Sequence, residues 1–217
     1  MEHSFWHDKW EINQIGFHLD YIHPILKRNL AAISLEKRAK VFVPLCGKTL
    51  DIGYLLAQGQ SVVAVELSEI AVQAVFEQLE IQPEITDWQG GKCYQAANVQ
   101  IFVGDFFSLT QADLGDVAWV YDRAALIALP EAMRKEYASH LAKITGYASQ
   151  LLITLDYDQS IAGGPPFAVS TAEVEALYGG MYPIQLIEEA DIIEEEPRFK
   201  AKGLTSFYQR GYKLKWS

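Results

Sequence analysis

Glu66 is the residue whose type and position most directly suggest chemistry. It closes the apolar run 62–65, about 20 residues after a turn holding Cys46 and Gly47 that ends the apolar run 41–45. Leu50, Tyr54 and Leu55 lie between at helical spacing, and Gly59 breaks the segment. Strand, turn, helix, strand, acid is the order in which an α/β crossover sets helix amides beside a strand end and a carboxylate where two ribose hydroxyls can donate to it. The turn itself limits the ligand. A P-loop needs a glycine where Phe42 stands before Gly47-Lys48-Thr49. A dinucleotide fingerprint needs three glycines, and only Gly47 is present. A nucleoside-bearing cofactor without phosphate suits this turn better. The plain alternative is a βαβ unit with an incidental glutamate.

Other candidates sit at strand ends. Gly104-Asp105-Phe106 follows the run 99–103, so Asp105 can meet an amino group such as adenine N6, with Phe106 against the base. Asp after Gly is also ordinary turn chemistry. Arg123 follows the strand 117–121 and is expected to face the ligand crevice, the alternative being a salt bridge to Asp122 or another acid. Trp6 and Trp10, at i and i+4, share one helix face and either cap the core or close a pocket against water. His3, His7, His18 and His23 have no convincing third ligand and no HExxH, so no metal is expected.

The whole chain narrows the classes. Its 217 residues suit one domain, half of them are apolar, and no apolar run reaches the roughly 20 residues of a membrane helix. The polar, aromatic N-terminus lacks the apolar core of a signal peptide, so a cytoplasmic protein is expected. A net charge of -10 disfavours nucleic acid and anionic lipid as partners. The acids from Glu188 to Glu196 read as a solvated edge, and Cys46 and Cys93 as reduced thiols. Ser68 is an expected cap for a helix carrying Val72, Val75, Phe76 and Leu79; Pro130 starts another that Gly146 stops. Ser170 and Glu173 suggest a capping box. The tail supplies runs at 184–190 and 205–215 that pair antiparallel. Alternating β and α units with this terminal pair describe an α/β sandwich. A monomer is the expected state.

FWHDKWEINQIGFH, VFVPLCGKTLDI, VVAVELSEIAV, YDRAAL and GPPFAV occur together, in this order, across almost the whole chain. The sequence resembles the thiopurine S-methyltransferase family, and looks like a bacterial member. The resemblance implies one Rossmann-like, seven-stranded methyltransferase domain over residues 1–217, its sheet mostly parallel with a C-terminal antiparallel pair. Residues 1–40 would form a helical lid over the cofactor pocket, and 41–217 the core. It implies S-adenosyl-L-methionine as cofactor, S-adenosyl-L-homocysteine as product and a small aromatic or heterocyclic thiol as partner. By motif, Trp10, Leu45, Glu66 and Arg123 would contact the cofactor, and Trp6, Gly47, Asp105 and Phe106 would line its pocket. Phe17 would pack on the substrate ring, with Arg123 and Arg198 positioning a thiolate. The alternatives are a methyltransferase for selenium or tellurium species, a dehydrogenase on a related sheet, and a cofactor sensor without catalysis.

Overall fold

The computed structural model describes residues 3–12, 18–33 and 38–215. Five central strands, β1 (Lys40–Val43), β2 (Ser61–Glu66), β5 (Val99–Val103), β6 (Trp119–Arg123) and β7 (Ser149–Asp156), are parallel, in the spatial order β5-β2-β1-β6-β7. Beyond β7 lie β9 (Tyr208–Leu214) and then β8 (Ile184–Asp191), both antiparallel to their neighbours. These make the seven strands expected. The sheet has nine, because β3 (Glu84–Trp88) and β4 (Gly91–Ala96) add an antiparallel hairpin outside β5. β3 escapes a pattern reading because it lies at the edge, and its residues alternate against solvent on both faces.

Side chains alternate across the central strands, and this sorts the helices into two layers. Val41, Val43, Val62, Ala64, Tyr121 and Leu151 pack with α2 (Pro24–Ile33), α3 (Asp51–Ala57) and α4 (Glu69–Leu79). Phe42, Val63, Val65, Val120 and Leu152 face the other way, toward α6 (Glu131–Ile144) and α7 (Thr171–Tyr178). Ile25, Leu26, Leu30 and Ile33 of α2 are all buried, each contributing roughly 1.5–3 kcal/mol. The remaining helices are α1 (His3–Glu11), α5 (Gln111–Leu114) and α8 (Pro197–Lys200).

Local signals hold with two corrections. Ser68 caps α4 by accepting from Ala71 N, and α6 begins after Pro130 and ends before Gly146, which sits at φ +61°. Only half of the capping box at α7 forms: Ser170 Oγ accepts from Glu173 N, while the Glu173 carboxylate pairs with Arg134. A complete box occurs instead at Thr110 and Asp113. The acidic edge is paired as well as solvated, with Glu188 bonded to Arg28 and Asn29, and Glu189 to Arg210. Cys46 and Cys93 are free and buried.

The chain leaves β1 toward β2 and β5 on one side, then returns to β6 and β7 on the other. The strand order therefore reverses between β1 and β6. In an open α/β sheet this is where a crevice opens beyond the carboxyl ends of the strands.

Candidate functional site

A cavity of about 790 Å³ opens there. Val65 and Glu66 end β2, and Cys46 N donates to Val65 O at 3.0 Å, drawing the turn after β1 against the second strand. Leu45 (φ +45°) and Gly47 (φ +54°) are both left-handed, which a β-carbon makes costly at Leu45. The reversal points Gly47 N at Glu66 Oε2, 2.8 Å away, while Ser68 N donates to Oε1 at 2.8 Å. Burial raises the Glu66 pKa, and the amides of Ser68, Gly47 and Leu67 oppose that rise. Gly47 N occupies one acceptor site on Oε2 and Ser68 N one on Oε1, and the carboxylate keeps acceptor capacity on a residue that lines the cavity.

Trp10 is buried over the turn: a β-carbon at position 47 would lie 3.4 Å from its Cζ2. Trp6 and Lys9, from the same helix, also line the cavity. On the other side of Glu66, Gly104 N donates to Glu66 O at 2.9 Å, tying the end of β5 to the end of β2. Asp105 Oδ1 caps the following turn by accepting from Phe107 N at 3.1 Å. Phe106 is fixed by Tyr137 and His140, with ring centroids at 4.8 and 5.1 Å.

Arg123 ends β6, and Ala124 behind it turns left-handed at φ +63°. Consecutive strand residues face opposite ways. Asp122 accordingly reaches the α6 side, accepting from Tyr137 OH at 2.7 Å and Leu126 N at 3.2 Å. Its carboxyl is pushed up to about 6, chiefly by burial. Arg123 lies on the α2 face, where its charge lowers the pKa of His23 after burial, and that of His18 after burial and Lys48.

The far end of the cavity combines the chain's later segments. Gly163, Gly164, Pro165 and Pro166 form one wall, and Phe167 turns away beneath Arg134, 5.7 Å from its guanidinium. The segment is anchored by Phe167 N to Ile127 O (2.7 Å), Ala168 N to Gln159 Oε1 (2.8 Å) and Tyr157 OH to Pro166 O. Arg134, itself buried, donates to Leu129 O, Ala168 O and Glu173 Oε1. Arg198, on α8, reaches the same cavity beside Phe199, its guanidinium 5.4 Å from that ring.

Trp6, Trp10, Leu45, Gly47, Glu66, Asp105, Phe106, Arg123 and Arg198 thus line one cavity. Phe17 lies outside the described residues. His18, His23, Lys48, Glu196 and Phe199 also line it and carried no signal as site residues. Histidines read only as ordinary polar positions, and the acids as an edge; nothing local in sequence aims them inward. Among the described residues, no group of three or more His, Cys, Asp or Glu side chains is placed to hold a metal ion.

Several known proteins resemble this chain. In fold, it is similar to the 1,6-didemethyltoxoflavin-N1-methyltransferase of Burkholderia thailandensis, solved with 1,6-didemethyltoxoflavin and S-adenosylhomocysteine. That likeness has a TM-score of 0.64 at 15% identity, over 99% of this chain and 87% of the other. A TehB-like methyltransferase from Corynebacterium glutamicum aligns at a TM-score of 0.55 and 14% identity over 98% of both chains. In sequence, a thiopurine S-methyltransferase of Pseudomonas fluorescens (strain Pf0-1) is 44% identical over 99% of each chain. One of Teredinibacter turnerae is 50% identical over 87% of each. The model of the family described as thiopurine S-methyltransferase matches residues 1–217. By this full-length match, the chain belongs to the thiopurine S-methyltransferase family.

Proposed function

We propose that this chain methylates the sulfur of aromatic and heterocyclic thiols with S-adenosylmethionine, as a thiopurine S-methyltransferase. The observation that carries the reading is the Glu66 carboxylate, buried in the cavity wall and held by the Gly47 and Ser68 amides with acceptor capacity to spare. The residues suit the cofactor. Glu66 would hold the ribose hydroxyls, Phe106 the adenine, and Leu45 and Gly47 the nucleoside beneath Trp10, with Trp6 and Asp105 completing the wall. The segment 1–40 would act as the cover and 41–217 as the core.

When bound, S-adenosylmethionine supplies a methyl group on a sulfonium, already activated and with a neutral leaving group. The chain has to hold the acceptor sulfur in line and keep water out, and such positioning can contribute about 7–11 kcal/mol. Arg123 and Arg198 would hold the acceptor as its thiolate, since a guanidinium stays charged at any working pH. Neither can take a proton, so the thiol proton leaves to solvent. The thiolate loses its charge as it is methylated, so these contacts must orient it without binding it too tightly. Phe17 and the Gly163–Pro166 wall would bracket the ring. We also take the protein to act as a cytoplasmic monomer; among the described residues no helix is long and apolar enough to cross a membrane.

A transfer assay with 6-mercaptopurine, following S-adenosylhomocysteine release, tests this reading alongside calorimetric cofactor binding. Turnover with binding is expected. Binding without methylation of any thiol would replace the enzyme with a sensor.

A further inference from the structure

His23 lines the cavity, yet the mechanism above gives it nothing to do. It precedes Pro24, the first residue of α2, and its carbonyl accepts the first helical bond from Lys27 N at 3.1 Å. Its Nδ1 accepts from Ile25 N at 3.3 Å, so the imidazole serves as the helix N-cap and Nε2 carries the ring proton. Capping alone favours Asn, Asp or Ser, which are smaller and cheaper to bury. A histidine here adds a second nitrogen that a cap does not need.

Its place is fixed from three elements. His23 N donates to Asp51 Oδ1 at 2.8 Å, at the start of α3, and Tyr121 OH donates to Asp51 Oδ2 at 2.9 Å. Tyr121 precedes Arg123 by two residues on β6, on the same face of the sheet. His23 therefore sits where β1 and β6 diverge, within the field of Arg123. Burial first, then Arg123 and Arg28, pushes its pKa down to about 3, which leaves a neutral ring with a permanent N–H.

The strand order says what reaches this point. Phe106 follows β5, Glu66 ends β2, the Leu45–Gly47 turn follows β1 and Arg123 ends β6, on four successive strands. With ribose on Glu66 and the base toward Phe106, the other arm of the nucleoside extends across β1 to β6, about 10 Å away. In S-adenosylmethionine that arm ends in an α-carboxylate. We propose that His23 is a cofactor-binding residue whose Nε2–H, beside Arg123, holds that carboxylate. The inference rests on the cofactor reading above.

Calorimetry on the full chain with two ligands tests it: S-adenosylhomocysteine, and 5′-methylthioadenosine, which keeps base and ribose but lacks the amino-acid arm. His23→Asn retains an acceptor at the cap and loses the distal donor; His23→Gln places an amide near Nε2 and gives up the cap. For His23→Asn, S-adenosylhomocysteine should bind about tenfold more weakly or worse, with methylthioadenosine affinity and melting temperature unchanged. His23→Gln should melt lower yet recover affinity for S-adenosylhomocysteine. Parental affinity in His23→Asn, or equal loss of both ligands, would overturn the assignment by leaving His23 a structural cap. A parent that binds neither nucleoside would remove the cofactor reading itself and this inference with it.

Discussion

At the Glu66 end of the cavity the working residues, apart from Trp6 and Trp10 of α1, lie within a few positions of a central strand end, and backbone amides hold them: Cys46 N to Val65 O, Gly47 N to the Glu66 carboxylate, Gly104 N to Glu66 O. At the Arg198 end the wall is a loop and a four-residue helix, and the loop is held mainly by side chains, Arg134 of α6 with Gln159 and Tyr157 of the same connection, beside one backbone bond from Phe167 N to Ile127 O. Backbone-built sites are set by the sheet and tolerate little change. Side-chain-built sites can be altered one residue at a time without dismantling the sheet. A methyltransferase fold gains from that division, since the cofactor is constant while the acceptor varies.

Arg123 stands between the two ends, so its loss should have the largest effect. Arg123→Ala is expected to lower kcat/KM about a hundredfold or more, with a melting temperature close to the parent's. Parental kinetics would break the comparison at its centre. Arg134→Ala should separate the ends: the thiol KM rises roughly tenfold while S-adenosylhomocysteine affinity is kept, because Ala168, at the foot of the loop wall, loses its bond to Arg134, and Leu129 and Glu173 lose theirs. An equal loss of cofactor affinity, measured by calorimetry, would mean the ends are not independent.

Asp122 tests the layer beneath both. The folded chain holds its carboxyl proton up to about pH 6, above the ordinary value near 3.9. Burying the charge therefore destabilises the fold above about pH 6, and the penalty is relieved as pH falls toward 4. Asp122→Asn carries no such charge, so denaturant unfolding should find its advantage over the parent larger at about pH 7.5 than at pH 5, by roughly 1 kcal/mol. The smallest effect belongs to Lys200→Ala. Lys200 and Glu194 form an exposed pair, so stability should move by no more than about 0.5 kcal/mol, and the thiol KM should stay at the parental value.

Legibility in the sequence followed the same division. Glu66, Gly47 and Arg123 could be read because each closes or follows a short apolar run, and the buried runs that encode β1, β2 and β6 also mark the carboxyl ends where the crevice opens. The tail pair β8 and β9 is visible as two strand-like segments, but the insertion of β9 beside β7 is not, since register across long separations leaves no local mark. Arg134 looked like any charged position on an amphipathic helix; only the fold brings Glu173 and Ala168 to it. Glu173 was misassigned for that reason, its long-range ion pair outcompeting the local capping bond. The edge strand β3 lacked a buried face to announce it.

Calorimetric titration of S-adenosylhomocysteine into the parent and into Glu66→Ala bears most directly on the central claim, that a buried carboxylate at the end of β2 receives a nucleoside. The account predicts one-to-one binding by the parent and at least a hundredfold weaker binding by the variant, since two charge-assisted hydrogen bonds are removed together. Equal affinity of the two proteins would contradict it.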